Sequence, residues 1–253
     1  MHVHSLGDQQ ATSYPLGENV FAGWVSWSRD GSEIIFNEFR QARPTEGTTL
    51  FGLDPATGTI RELFPRMKAI NRLRVSPDGT KMVFYRGGVS QLVVADLGDP
   101  EGVVLVNSAD VDNGGLATWV RPQLSPDGST VLYGTQGDDW GEDDTCQLWL
   151  IAADGSNQRR IVSARWIPTA VWHPSGTHIV YNTWEEDEMG PSRLYVVNVE
   201  SGEQDEIALP SGLDGMMIHQ WSPDGKWIGA VAGSGNYEYW VVENPLGTRG
   251  GER

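Results

Sequence analysis

A tight-turn motif occurs five times in this chain at an almost constant interval. Its copies begin at Ser28, Ser76, Ser125, His173 and Ser222, and the commonest form is Ser-Pro-Asp-Gly. The intervals between successive copies are 48, 49, 48 and 49 residues. Proline presets one turn dihedral, aspartate hydrogen-bonds to its own backbone, and glycine accepts a positive φ. Each copy therefore predicts a turn between two strands, and the period predicts a repeat fold.

Other residue types recur in phase with the turn. An aromatic residue follows the turn glycine by five positions in four repeats, at Phe36, Phe84, Tyr133 and Tyr181. An apolar strand precedes each turn, and a strand resembling Leu-x-Val-x-Asp follows further on. Each repeat thus supplies three strands and usually a fourth, which is the pattern of a propeller blade. We predict an all-β fold, a five-bladed β-propeller of four-stranded antiparallel blades.

The two chain ends complement each other in this scheme. The fifth repeat lacks a fourth strand, whereas Leu16 precedes Ser28 by 12 residues, and in three repeats a strand-four aliphatic residue precedes the next turn by 12 or 13. We therefore expect an N-terminal strand to complete blade 5 and close the ring, which protects an open sheet edge. In this single domain, 1–253, the predicted blades span about 21–64, 70–108, 117–163, 166–209 and 215–244 plus 11–17, followed by a tail, 245–253.

The turn Trp221–Gly225 and the following strands resemble the TolB-like (PD40, WD40-like) repeat. The resemblance covers roughly 11–244. It implies the propeller fold, but such repeats serve partner-binding proteins, peptidase propellers and polysaccharide lyases, so it implies no single function.

Charge restricts the partners. The formal net charge is −16, which argues against a nucleic-acid partner and against adhesion to an anionic membrane, since both depend on Lys and Arg. No apolar run is long enough to span a bilayer, and Met1–His4 opens no signal peptide. We expect a monomer that is cytoplasmic as written, or periplasmic or secreted if a signal has been removed.

Loop lengths point to one face, the top face, which carries the loops between strands two and three and between successive blades. Its insertions are acidic, and insertions on one face often mark a binding face. They predict a docking patch for a cationic partner, a Ca²⁺ or other divalent ion site, or a solvated surface. The docking residues are Asp138, Asp139, Trp140, Glu185 and Glu186, and the metal candidates are Asp110, Asp112, Asp143 and Asp144.

The first strands supply a second set of candidates. Trp24, Arg72 and Arg121 stand four residues before their turns, Trp119 and Trp166 precede their strands, and His219 lies in the last repeat. The arginines suit an anionic group such as a carboxylate, and the tryptophans suit a sugar ring or other flat ligand. Alternatively, the tryptophans pack between blades and the arginines pair with acidic loop residues.

Catalytic signatures are scarce, since the chain has no G-x-S-x-G elbow and no H-E-x-x-H pair. His219–Gly225 is similar to a stretch of oligogalacturonate-lyase-like propellers, which implies that His219 and Gln220 help to hold a metal. Our leading hypothesis is a non-catalytic module that binds a protein or small ligand on the top face. The alternatives are a lyase or glycoside hydrolase acting on an acidic sugar, and a lectin-like sugar binder.

Overall fold

The computed structural model confirms a five-bladed β-propeller, with five small antiparallel sheets arranged in a ring. The structure describes residues 2–4, 11–16, 20–28, 31–40, 48–67, 70–87, 90–97, 99, 101–112, 114–117, 119–137, 146–184, 192–209, 215–232 and 238–243. Within these ranges, no helix is long and apolar enough to cross a membrane.

The chain begins with a short hairpin and then forms blades 1 and 2. The hairpin strands are β1 (His2–His4) and β2 (Ala11–Ser13). Blade 1 contains β3 (Val20–Trp27), β4 (Ile34–Arg40), β5 (Thr48–Leu53) and β6 (Ile60–Met67). Blade 2 contains β7 (Ile70–Val75), β8 (Lys81–Arg86), β9 (Gln91–Asp96) and β10 (Val103–Asn107).

Blades 3 to 5 vary in strand number. Blade 3 contains β11 (Gly114–Leu116), β12 (Gln123–Leu124), β13 (Thr130–Gly137), β14 (Cys146–Ala152) and β15 (Arg159–Ala164). Both β11 and β12 pair with β13, so the predicted single first strand is split in two. Blade 4 contains β16 (Thr169–Trp172), β17 (His178–Trp184), β18 (Ser192–Asn198) and β19 (Gln204–Ile207). Blade 5 contains β20 (Met217–Trp221), β21 (Trp227–Ala232) and β22 (Glu238–Glu243).

The repeated motif forms the turn between the first two strands of a blade, as blade 2 illustrates. Gly79 donates to the Ser76 carbonyl at 2.9 Å with a φ of +71°, a conformation that favours glycine. The Ser76 hydroxyl donates to Asp78 at 2.5 Å and accepts from the Lys81 amide at 2.9 Å. The polar groups of the motif therefore form their hydrogen bonds within the turn, which explains why the motif recurs in every blade.

The core lies between neighbouring blades. The in-phase aromatic residues Phe36, Phe84, Tyr133 and Tyr181 are all buried. In blade 3, the outer-strand residue Ile161 packs in one cluster with Ile167 and Trp172 of blade 4. Each such contact buries aliphatic surface, and a fully buried side chain of this size contributes roughly 1.5–3 kcal/mol.

The N-terminal segment differs from its predicted pairing. Among the described strands, β2 pairs with β1 rather than with β22, so blade 5 has three described strands. The backbone groups of β2 are instead satisfied in the hairpin with β1, and the Tyr14 hydroxyl donates to the Pro55 carbonyl at 2.5 Å. The buried Tyr14 and the partly buried Leu16 pack against a cluster in blade 1. The segment thus packs against blade 1 without the predicted strand pairing to blade 5.

Candidate functional site

The first strands of blades 2 to 5 surround a common cavity of about 480 Å³. Its lining includes Trp184, which ends β17, and Gly215, which shortly precedes β20. These residues border loops of the predicted top face. The cavity therefore reaches the end of the propeller where sequence insertions predicted a binding face.

Backbone irregularities introduce the polar residues into this cavity. The β7–β8 register shifts between Asn71 and Arg74, and the β20–β21 register shifts between Ile218 and Gln220. Arg72 lies within the first irregularity and His219 within the second. Bulges bend a strand locally and re-aim a side chain, and they are frequent beside functional sites.

Arg72 has a further peculiarity, a positive φ of +56°. This left-handed conformation is uncommon for residues other than glycine and costs on the order of 1 kcal/mol. Arg121 reaches the same cavity from the break between β11 and β12. Two neighbouring blades thus hold their arginines on irregular backbone rather than on regular strand.

The polar side of the cavity is cationic. It comprises Arg72, Arg74, Arg121 and His219. Burial, and then the charges of Arg121 and Arg72, lower the pKa of Arg74 to about 10. Burial and Arg72 also lower the pKa of Arg121. Arg74 therefore stays protonated at neutral pH, and the charges of Arg72 and Arg121 repel that of Arg74 across the cavity.

No carboxylate of the described chain compensates Arg72 or Arg121 by an ion pair. The described cavity lining also contains no Asp or Glu. A positive cavity in a chain of net charge −16 is a local reversal of the average surface charge. Such a cavity focuses field lines on an anion.

The other side of the cavity is aromatic and apolar. Trp119 and Trp166 approach with ring centroids 5.5 Å apart and planes inclined by 46°. Pro168, Met217 and Trp184 continue this surface. Behind Trp119 lies the buried thiol of Cys146, whose pKa is raised to about 11 by burial against a smaller, opposing effect of a hydrogen bond with Trp119. The cavity can therefore accept a planar or apolar body beside an anionic group.

A buried hydrogen-bond chain fixes the wall between blades 4 and 5. The Thr169 hydroxyl donates to Asn182 Oδ1 at 2.6 Å and accepts from the Ile218 amide at 2.9 Å. Asn182 Nδ2 donates to the Met216 carbonyl at 2.6 Å. Asn182 is fully buried. This hydrogen-bond network fixes the start of β20 and therefore the position of His219 within that strand.

The structure brings five of the predicted residues together around the cavity: Arg72, Trp119, Arg121, Trp166 and His219. Sequence reasoning missed Arg74, Gln123 and Trp184, which also line it. Simple alternation along the strand does not identify Arg74, because the β7–β8 register shifts between Asn71 and Arg74.

The remaining predicted residues are not part of this described site. Asp110 and Asp112 are exposed, and Asp110 accepts a hydrogen bond from Asn107 Nδ2 at 2.9 Å. The side chain of Trp24 lies outside the described side chains, although its backbone belongs to β3. The acidic-loop candidates lie outside the described residues, namely Asp138, Asp139, Trp140, Asp143, Asp144, Glu185 and Glu186.

The surroundings of His219 do not suit a metal cation. Its pKa is lowered by burial and then by the charges of Arg121 and Arg74. The same charges repel a divalent cation. Within the described ranges, no three His, Cys, Asp or Glu side chains are grouped to hold a metal ion. The metal-binding role implied for His219 and Gln220 therefore lacks electrostatic support.

Comparison with known proteins shows that this chain shares its fold with solved structures but does not assign it to a family. No protein-family model matches the chain, and no curated protein matches it. An oligogalacturonate lyase in complex with manganese is similar at a TM-score of 0.68 and 15% identity, covering 98% of this chain and 70% of the lyase. TolB from Acinetobacter baumannii is similar at 0.66 and 15% identity, covering 96% of this chain and 56% of TolB.

A putative TolB from Agrobacterium tumefaciens is similar at a TM-score of 0.56 and 22% identity, covering 77% of this chain and 65% of that protein. The chain thus spans little more than half of the A. baumannii TolB. The similar structures include both TolB proteins and oligogalacturonate lyases. The chain has the TolB-like β-propeller fold, which these proteins share.

Proposed function

We propose that this propeller is a binding module that captures an organic anion in its central cavity. The observation that carries the proposal is the gathering of Arg72, Arg74 and Arg121 in one cavity. Mutual repulsion and the left-handed backbone of Arg72 both disfavour this arrangement in the free protein. An anionic ligand offsets the repulsion, because charge-assisted hydrogen bonds to guanidinium groups are among the strongest polar contacts.

The composition of the cavity favours binding over catalysis. A lyase or glycoside hydrolase needs a positioned acid, base or metal, and glycosidases typically use paired carboxylates. The described lining offers no carboxylate, and His219 is its one imidazole. An enzyme acting on an acidic sugar stays the alternative, supported by the structural similarity to the lyase and by the arginines. A lectin-like site for a neutral sugar would have no need of the cavity arginines, so this second alternative is less favoured.

A matched pair of ligands tests the proposal. We expect benzoate to raise the unfolding temperature and to give a saturable calorimetric isotherm, whereas neutral benzamide has no effect at equal concentration. The reason is that a ligand of the folded state stabilises it by mass action. Equal effects of the two compounds, or no benzoate binding at tens of millimolar, would contradict the proposal.

A control variant separates the cavity from general surface charge. Arg160 lies on β15, is exposed, and does not line the cavity. We expect Arg160→Gln to bind benzoate like the unmodified protein. A loss of binding in this variant would indicate nonspecific attraction to surface arginines.

Anion binding is expected to depend on pH through His219. The charges of Arg121 and Arg74 face His219 and, together with burial, lower its pKa below the ordinary value of about 6.5. A bound anion offsets these charges and raises the pKa of His219, so the complex takes up a proton. Affinity for benzoate should therefore rise about three- to tenfold as pH falls from about 7.5 to about 5.5, where benzoate stays ionised.

Calorimetry in buffers of different ionisation enthalpy measures this proton uptake directly. We expect His219→Gln to bind the anion with no proton uptake and little change of affinity over the same range. Unchanged proton uptake in this variant would assign the linkage to another group.

A further inference from the structure

We propose that the anionic group recognised by the cavity is a phosphate monoester rather than a carboxylate. This inference rests on the proposed anion-binding function and concerns its ligand class. A carboxylate carries one negative charge, whereas a phosphate monoester carries about 1.5 to 2 near neutral pH. Three guanidinium groups line the cavity, and Arg74 stays protonated there with a pKa of about 10. Arg72 and Arg121, which form no ion pair among the described residues, together carry twice the charge of one carboxylate, so a single carboxylate leaves part of their repulsion in place.

The placement of the arginines also suits a tetrahedral group. Arg72 and Arg74 come from β7 of blade 2, whereas Arg121 comes from the break in blade 3. A guanidinium presents a planar fork of donors that binds carboxylate or phosphate through two parallel hydrogen bonds. A carboxylate has two oxygens in one plane, and one fork can occupy both. A phosphate monoester has three terminal oxygens in different directions, which suit donors that converge from two blades.

The apolar side of the cavity indicates that the phosphate carries a ring. Inorganic phosphate needs much less space than the cavity volume of about 480 Å³. The inclined rings of Trp119 and Trp166, together with Met217, form a surface for a flat or apolar body. A ring-bearing phosphate monoester fills both the cationic and the aromatic side, and inorganic phosphate fills only the first.

Four probes test this inference by calorimetry at pH 7.5, namely phenyl phosphate, benzoate, phthalate and inorganic phosphate. We expect phenyl phosphate to bind at least about tenfold more tightly than benzoate, because of its second charge and third oxygen. It should also bind more tightly than inorganic phosphate, which lacks the ring, and than phthalate, whose two charges lie on separate planar groups.

Arg74 gives the matched variants. Arg74→Gln should reduce phenyl phosphate binding more than benzoate binding and so compress the ratio between them. Arg74→Lys, which keeps the charge but loses the fork, should compress the ratio less. Thermal unfolding without ligand checks that each variant folds. If Arg74→Gln does not fold, Arg74→Lys serves as the test.

The outcomes separate this inference from the proposed function. Benzoate binding equal to phenyl phosphate binding overturns the phosphate assignment and leaves anion capture standing. Phthalate binding as tight as phenyl phosphate binding overturns it as well, because charge alone then explains the preference. No binding of any of the four probes contradicts the proposed function itself.

Discussion

Replacing Arg72 and Arg121 together with glutamine is expected to weaken binding of phenyl phosphate or benzoate by at least about 100-fold. Hydrogen bonds to charged groups contribute roughly 1.5–3 kcal/mol each, and 1.4 kcal/mol is a tenfold change in affinity. Both arginines line the cavity, and neither forms an ion pair with another described residue. Calorimetric titration of the double variant beside Arg160→Gln measures the loss.

The stability of a companion variant shows whether Arg72 serves binding or the fold. Arg72→Gly removes both a repelled cation and the left-handed strain at φ +56°. We expect it to gain roughly 0.5–1 kcal/mol of folding stability, a rise of about 1–4 °C in unfolding temperature, while losing anion affinity. A purely structural arginine predicts the reverse, a less stable protein. Lower stability of Arg72→Gly together with unchanged anion affinity would therefore contradict a binding role for Arg72.

Removing the buried amide of Asn182 is expected to produce the largest loss of stability. Asn182→Ala breaks the hydrogen bonds to the Thr169 hydroxyl and the Met216 carbonyl and leaves a void in a fully buried position. Two lost hydrogen bonds at about 0.5–1.5 kcal/mol each, together with the void, should cost about 2–5 kcal/mol in total. Urea unfolding measures this loss as a lower transition midpoint.

A neighbouring substitution gives the control for Asn182. Thr183 is the next residue on β17 and is half-buried. Thr183→Ala should change the free energy of unfolding by no more than about 0.5 kcal/mol. Because the Asn182 network holds the start of β20, Asn182→Ala should also weaken anion binding wherever the variant remains folded. A loss for Asn182→Ala no larger than that for Thr183→Ala would contradict the network's role.

The fold was predictable because its signals are local and repeated. The Ser76–Asp78–Gly79 turn closes with hydrogen bonds among its own residues, so the motif is informative without knowledge of distant contacts. The buried aromatic residues Phe84 and Tyr133 follow their turns at a fixed distance in the sequence. This constant distance allowed the strands of each blade to be predicted. Repetition at an almost constant interval then gave the number of blades.

Other features depend on contacts between distant segments. The burial of Tyr14 against blade 1 could not be deduced from the distance between Leu16 and the following turn. The strand before Tyr14, β2, pairs with β1 and not with the predicted strand of blade 5. The split of the first strand in blade 3 likewise arises from irregular pairing with β13.

The candidate site was predictable in part, residue by residue. Equivalent positions in two repeats singled out Arg72 and Arg121, because corresponding positions on neighbouring blades lie near each other. Arg74 was missed because the bulge in β7 decides which side chains share the cavity, and a bulge is a property of strand pairing. The anionic rim of Asp138, Asp139, Glu185 and Glu186 stays a prediction.

The most direct measurement is a crystal structure of the protein with phenyl phosphate bound. Our account predicts the phosphate oxygens within hydrogen-bond distance of the guanidinium groups of Arg72 and Arg121, with the phenyl ring against Trp119 or Trp166. Density for the ligand on the outer surface, with the cavity holding only solvent, would contradict the account.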